Sequence, residues 1–549
     1  MWCREAMNIY KKRLKAVYVV TFGACLWFGL AFQAVSEQSL SFKLGLVSEI
    51  SSDRKVFAFY EDRDFTPIWI DSSTESKDRR VAFLQALDSV GIHALPEGKY
   101  GKDALLQRIR TVKTDHELGV LEALFTRSFL DYAKDVHSGL LKPSEVVEEI
   151  ARTSTYLSVQ DYLSGVASED GANYIVTLPP QSQEYQNLLS VRQELLDVAE
   201  NGGWGKPVPQ GKFSVGDSGP EIVALRNRLI AQKYLDRSVS SVFDEKMLQA
   251  VKEFQTNHGL LADGIVGPGT IEELNVNVFE RLKSVTVALE RERWMSLRNV
   301  TEDFKKSRTI VVNLTDFTAK ILDDGVVTFE TRSVIGTDKD DQRSPEFSDV
   351  MEHMVINPSW YVPRSITVKE YLPNLQQDPE SHSYLTMFVP DTGDVVPRHA
   401  VDFTQFDEDT FPFELKQMPS PSNALGRVKF MLPNRHNIYL HDTPHKTLFL
   451  KEKRAFSHGC IRLQQPFEFA YALLEKQSSN PVSEFHNILE TGLETTVALK
   501  EHIPVHIIYR TAVTSADGRM GFRRDVYGRD ALIFEALESV GVVIAQNHG

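Results

Sequence analysis

The stretch IYLHDTPHKTLFLKEKRAFSHGCIRLQQP, residues 438–466, holds the densest chemistry in the chain. Cys460 follows Gly459, so the backbone can turn sharply there and leave the N–H groups of both residues pointing outward. His441 ends a predicted strand, NIYLHD (437–442), nineteen residues upstream of the thiol. His458 stands two residues before Cys460 and Arg462 two after it, on the same face if the chain is extended. A free thiol is only slightly ionised at neutral pH; an adjacent imidazole raises that fraction as an ion pair and can later give the proton to a leaving amine. Paired N–H groups form an oxyanion hole, worth about 3 kcal/mol per donor removed. Arg462 can hold a substrate carboxylate through two parallel bonds. Thiol, imidazole, donors and cation together describe acyl transfer.

A metal site is the rival, because His436, His441, His445, His458 and Cys460 lie near one another in sequence. His441 and His445 have the spacing of two ligands on one helical face. Thr443-Pro444 falls between them, and proline breaks such a turn. Asp442 also stands where a zinc protease would have its glutamate. The reading therefore predicts no metal and no cofactor, with His436 and His445 as packing residues.

The stretch sits in a chain of 549 residues, enough for three or four domains at roughly 150 residues each. With 42% hydrophobic and 25% charged residues, the bulk is an ordinary globular protein, not a polytopic membrane protein, a collagen-like fibre or a mostly disordered chain. A net charge of −14 argues against general nucleic-acid binding. Residues 1–36 read as an export segment. Lys11, Lys12, Arg13 and Lys15 precede an uncharged run from Ala16 to Phe32, and Ala34-Val35-Ser36 offers small residues for cleavage. A cleaved signal peptide and an uncleaved membrane anchor both fit, and both place the remainder outside the cytoplasm. Two of the three cysteines, Cys3 and Cys25, belong to that segment. Cys460 is then a lone thiol in an oxidising compartment, which is a liability unless it has work to do.

The expected fold class is multidomain, α plus mainly β. Residues 37–205 have helical patterning and read as a scaffold domain. In 118–143, Leu121, Leu124, Phe125, Phe129 and Tyr132 form one stripe, ended by Gly139 and Pro143. A Gly/Pro-rich linker leads into a small three-helix module, 212–277, with Asp244 as an N-cap, Gly259 as a stop, and Thr270 and Glu273 as a capping box. A linker helix, 278–304, follows. From 305 to 515 the period changes to that of strands, predicted at 309–322, 326–336, 353–363, 427–433, 437–442 and 504–513. Within this domain, 364–425 is a long, proline-rich, irregular insertion, which reads either as a lid or substrate cap or as a plain surface excursion. Residues 516–549 are expected to pack on the catalytic domain as a C-terminal extension.

Two resemblances extend the reading. Gly216-Asp217-Ser218-Gly219, the helix around Leu225 and Leu229, AVKEFQ (250–255) and DGIVGPGT (263–270) resemble the peptidoglycan-binding module of cell-wall enzymes. Ser457-His458-Gly459-Cys460-Ile461-Arg462-Leu463, with His441 before it, resembles the L,D-transpeptidase (YkuD) catalytic domain. FSDVMEHMVINPSWYVPRSI (347–366), SNALGRVKF (422–430) and FRRDVYGRDA (522–531) are similar to the large murein L,D-transpeptidases of Gram-negative bacteria. So are FYEDRDFTPIWI (59–70) and VHSGLLKP (136–143).

The resemblance implies Cys460 as nucleophile and His441 as general base. It implies Ser457, His458 and Gly459 around the oxyanion hole, and Arg462, Trp360 and Asn357 on the substrate side. It also implies a thioester formed on a tetrapeptide stem with loss of D-alanine, a 3→3 cross-link to a second stem, and acylation of the thiol by carbapenems. The partners expected are donor and acceptor stem peptides, with room for other cell-wall synthesis proteins; the membrane is met only through the N-terminal segment, and nucleic acid not at all. Water or a protein as acceptor would make the same site a carboxypeptidase or an anchoring enzyme. A zinc-dependent wall peptidase and a wall-binding protein with a degenerate catalytic domain are the readings from other classes.

Overall fold

A computed structural model describes residues 40–152, 156–295, 308–514 and 518–544. The export segment 1–36 and residues 296–304 of the expected linker helix lie outside the described residues. Among the described residues no helix is long and apolar enough to cross a membrane. Two compact units are present, one from residues up to 88, 100–132 and 157–176, the other from 89–99, 133–156 and everything from 177 onward. Segments 89–99, 133–156 and 177–205 of the expected scaffold region thus group with the second unit.

The first unit is helical. Trp69 packs at 5.4–5.6 Å ring separation on Phe83, Phe125 and Phe129, so the aromatic stripe read from the sequence is its core. Glu122 is fully buried in the same core; its carboxylate accepts the Tyr60 hydroxyl at 2.7 Å and the N–H groups of Ile68 and Trp69 at 2.6 and 3.0 Å. Such bonds make burial of a carboxylate tolerable.

In the second unit the small module has helices Pro220–Ala231, Glu245–Asn257 and Pro268–Asn275. Leu225, Leu229, Met247, Val251 and Phe254 are buried together, as their spacing predicts. Asp244 caps the second helix through Met247 N–H at 2.9 Å. The predicted Thr270–Glu273 capping box is absent. The third helix starts earlier, at Pro268 after Gly267, and the Thr270 hydroxyl accepts the Gln255 amide. Proline at the first helical position needs no N–H acceptor, so the helix can begin there.

Residues 308–508 are rich in strands. These are β1 (Thr309–Asn313), β2 (Thr318–Asp323), β3 (Val326–Gly336), β4 (Phe347–Ile356), β5 (Trp360–Tyr361), β6 (Leu385–Phe388), β7 (Glu414–Gln417), β8 (Val428–Met431), β9 (Leu440–His441), β10 (Ala455–Ser457), β11 (Ile461–Leu463) and β12 (Thr495–Ile508). The main sheet runs β10-β3-β11-β9-β8-β4-β12-β1-β2, and β2 also pairs with β3, so the sheet closes on itself. Its interior is filled by residues such as Ile310, Met354, Phe430, Leu440, Ile461 and Ile507.

Two expectations are corrected. The strand predicted over 353–363 is broken after Ile356, because Asn357 has φ +52° and Pro358 lacks an N–H for the ladder. Trp360 and Tyr361 then enter a different sheet, of order β5-β7-β6. Nor is the 364–425 insertion irregular. It contains helix Leu372–Gln377 and two of those three strands, over a core of its own that includes Trp360, Leu372, Leu375, Phe411 and Leu415. Its prolines misled the reading; Pro373 sits at the first turn of a helix, where proline is tolerated.

Candidate active site

The site is built by one strand pairing. β9 and β11 run parallel, with Leu440 opposite Ile461 and His441 opposite Arg462. Residues two apart in a strand share a face, so Tyr439 and His441 on one chain segment and Cys460 and Arg462 on the other look the same way. All four line a cavity of about 890 Å³ that Trp360 and, from the 364–425 insertion, Glu370 and further residues also line. Nineteen residues of separation become one cross-strand step.

His441 is 4% exposed. Its Nδ1 faces the carbonyl oxygen of Asp442 at 2.5 Å. A carbonyl only accepts, so Nδ1 carries the hydrogen and Nε2 of the neutral ring is left as the acceptor. Burial first and the Arg462 cation second bring the imidazole down to about 3, against the pull of the Asp442 and Leu425 carbonyls. The Asp442 carboxylate serves the turn instead. It accepts the N–H groups of Arg427 and Thr443 at 2.8 and 2.7 Å and pairs with Lys446 at 2.6 Å. Gly426, at φ +63°, permits this, because a Cβ there would stand 2.3 Å from that carboxylate.

The Cys460 thiol is half-buried and reaches toward the Asn437 carbonyl at 3.6 Å. Burial pushes it up to about 11, although Tyr439 offers it both backbone N–H and hydroxyl and the Arg462 cation favours the thiolate. The sequence reading expected a thiolate–imidazolium pair. The shifts run the other way on both groups and favour a neutral thiol and a neutral imidazole over an ion pair. Tyr439 is the site residue that the sequence reading missed. Its two-residue spacing from His441 in the predicted strand was the available signal.

Gly459 has φ +108°, which glycine adopts without strain. Its N–H donates to Ser457 Oγ at 3.2 Å, and Ser457 Oγ donates to the Cys460 carbonyl at 2.6 Å. Of the two outward N–H groups expected, Gly459's is therefore already engaged. The Cys460 N–H has no acceptor among the described residues. His458 points to the cap, where its Nε2 meets Glu370 Oε1 at 2.6 Å. Lys369, also of the cap, pairs with Asp341 at 3.1 Å. Arg462 has no acidic partner among the described residues, and its Nε is buried without an acceptor. An anion is what such a guanidinium would take up.

The two remaining substrate-side candidates part company. Trp360 lines the cavity, with Tyr371 edge-on at 6.3 Å. Asn357 is not among the lining residues. Its amide donates to the carbonyls of Ile488, Leu489 and Leu493, and its oxygen accepts from Arg427 at 3.0 Å. It holds the break after β4 and has no amide atom left for substrate. The zinc alternative loses its geometry as well, since His441 ends a strand whereas His445 precedes a 3-10 turn. Among the described residues no three His, Cys, Asp or Glu side chains gather as metal ligands do.

Comparison with known proteins bears on each part. Residues 307–483 match the family described as "L,D-transpeptidase catalytic domain", YkuD. Residues 54–191 match a "Scaffold domain", and 218–274 a "Putative peptidoglycan binding domain". A Haemophilus influenzae protein named "Putative L,D-transpeptidase" is 30% identical over 227 residues, which are 41% of this chain and 45% of that protein. The chain thus spans less than half the length of that relative. An L,D-transpeptidase structure from Xylanimonas cellulosilytica aligns over 55% of this chain and all of its own, at 14% identity and a TM-score of 0.18. One from Stackebrandtia nassauensis aligns over 55% of this chain and 97% of its own, at 15% identity and a TM-score of 0.21. Superpositions this loose carry no argument. The family matches do, and by them residues 307–483 are an L,D-transpeptidase catalytic domain of the YkuD family, in a chain that also carries a scaffold domain and a peptidoglycan-binding domain.

Proposed function

We propose that this protein forms 3→3 cross-links in peptidoglycan through a thioester on Cys460, outside the cytoplasm. The observation that carries the reading is the β9–β11 register, with thiol, imidazole and unpaired guanidinium on one cavity face. Arg462 holds a carboxylate of the donor tetrapeptide. As the thiol sulfur attacks the carbonyl of the third residue, a diamino acid, His441 Nε2 takes the thiol proton. The Cys460 N–H steadies the resulting oxyanion. Collapse breaks the amide bond, D-alanine leaves with the proton from His441, and a thioester remains. The side-chain amine of a second stem then attacks that thioester, loses a proton to His441, and releases the thiol.

The test is incubation with a disaccharide-tetrapeptide and mass spectrometry of products and enzyme. The expected outcome is a cross-linked dimer lacking one D-alanine, with a covalent tripeptide adduct on Cys460. Product formation by Cys460→Ala would sink the thiol reading. Tripeptide alone, without dimer, would assign the same site to a carboxypeptidase.

A further inference from the structure

The Cys460 N–H belongs to the same peptide as the Gly459 carbonyl, and that carbonyl is held from behind. Ser344, fully buried between β3 and β4, donates its hydroxyl to the Gly459 carbonyl at 2.6 Å and accepts the Gly336 N–H at 3.0 Å. In a trans peptide the C=O and N–H point in opposite directions. Fixing the Gly459 carbonyl on the buried side therefore aims the Cys460 N–H away from Ser344, toward the thiol's side of the turn. A hydrogen bond to a peptide oxygen also polarises the N–H of that peptide and strengthens it as a donor.

Ser344 is itself held by the C-terminal segment, beyond the residues that match the catalytic family. The Tyr527 hydroxyl accepts the Ser344 N–H at 3.3 Å and donates to the Gly336 carbonyl at 2.7 Å. Arg529 donates to the Ser344 carbonyl at 2.8 Å and pairs with Glu346 at 3.1 Å. Glu346 also binds Arg291 at 2.8 Å. Every one of these partners is buried.

We propose that Ser344 is a positioning residue for the oxyanion donor, fixing and polarising the Gly459–Cys460 peptide, and that Tyr527 holds Ser344 in register. The inference rests on the reading of Cys460 as the acylated nucleophile. It separates two reactions of one thiol. Acylation by a carbapenem forms the S–C bond, breaks the ring C–N bond and moves the thiol proton through His441 to the ring nitrogen, passing an oxyanion on the way. Alkylation by iodoacetamide displaces iodide and makes no oxyanion.

The experiment measures both rates, with meropenem and iodoacetamide, on the full chain and on Ser344→Ala and Tyr527→Phe. Acylation of Ser344→Ala is expected to fall about tenfold to a hundredfold while alkylation stays within about twofold. Tyr527→Phe, which removes only a hydroxyl, is expected to show the same split with a smaller loss, and it decides the matter if the alanine variant does not fold. Equal losses in both reactions, or wild-type acylation in both variants, would overturn the proposal. A wild-type protein that meropenem leaves unmodified at Cys460 would overturn the nucleophile reading, and this inference with it.

Discussion

His441 and Arg462 are register partners across the parallel pair β9–β11, and after burial the guanidinium is the largest cause of the imidazole's low pKa. The same cation lowers the thiol. A substrate carboxylate bound to Arg462 would screen the cation from His441, so donor binding should make the base more basic at the moment it is needed. Removing the charge acts on the two groups with one sign. In Arg462→Met the imidazole and the thiol both move up, so at pH 8 the thiolate fraction falls and iodoacetamide alkylation slows severalfold. Faster alkylation in that variant would contradict the arrangement.

The thiol itself gives a second expectation. With its pKa near 11, the wild-type alkylation rate should rise about tenfold per pH unit from 7 to 10, because the thiolate fraction does. A plateau near pH 7 would mean a preformed thiolate–imidazolium pair. His441→Ala should keep this alkylation profile, since the neutral imidazole is not among the causes of the thiol's shift. The same variant should lose acylation by a hundredfold or more, as a base used only during attack requires. Loss of both reactions together would instead point to a damaged turn.

Gly426 offers a test of the turn that orients the base. A Cβ there would meet the Asp442 carboxylate, and φ +63° is strained for any other residue. Gly426→Ala should destabilise the protein by about 1–3 kcal/mol through backbone strain alone. Because Asp442 must move, its carbonyl should loosen its hold on His441 Nδ1, so acylation should fall more than alkylation. Unchanged melting and unchanged acylation would show that the turn tolerates a side chain.

That Cys460 and His441 belong to one site was legible in the sequence because the signal is local: a glycine before a thiol, and a histidine at a strand end. The cap was not, since prolines at helix starts and prolines in loops look alike without their neighbours. Nor could sequence spacing reveal that Glu370 meets His458 across 88 residues. Asn357 shows the same limit. A polar residue beside a predicted site reads as a substrate contact until its hydrogen bonds are counted.

That count gives the last expectation. Asn357 spends its amide on three carbonyls and its oxygen on Arg427, all within the protein. Asn357→Ala removes one hydrogen bond from each of these groups and trades a residue that tolerates φ +52° for one that does not. The expected loss is about 2–4 kcal/mol of stability, read as a lower melting temperature. The KM for the donor stem should stay put, because the side chain does not line the cavity. Trp360→Ala should behave differently, raising KM as well as lowering the melting temperature, since this ring belongs both to the cavity wall and to the core of the cap. A raised KM with unchanged stability in Asn357→Ala would return that residue to the substrate.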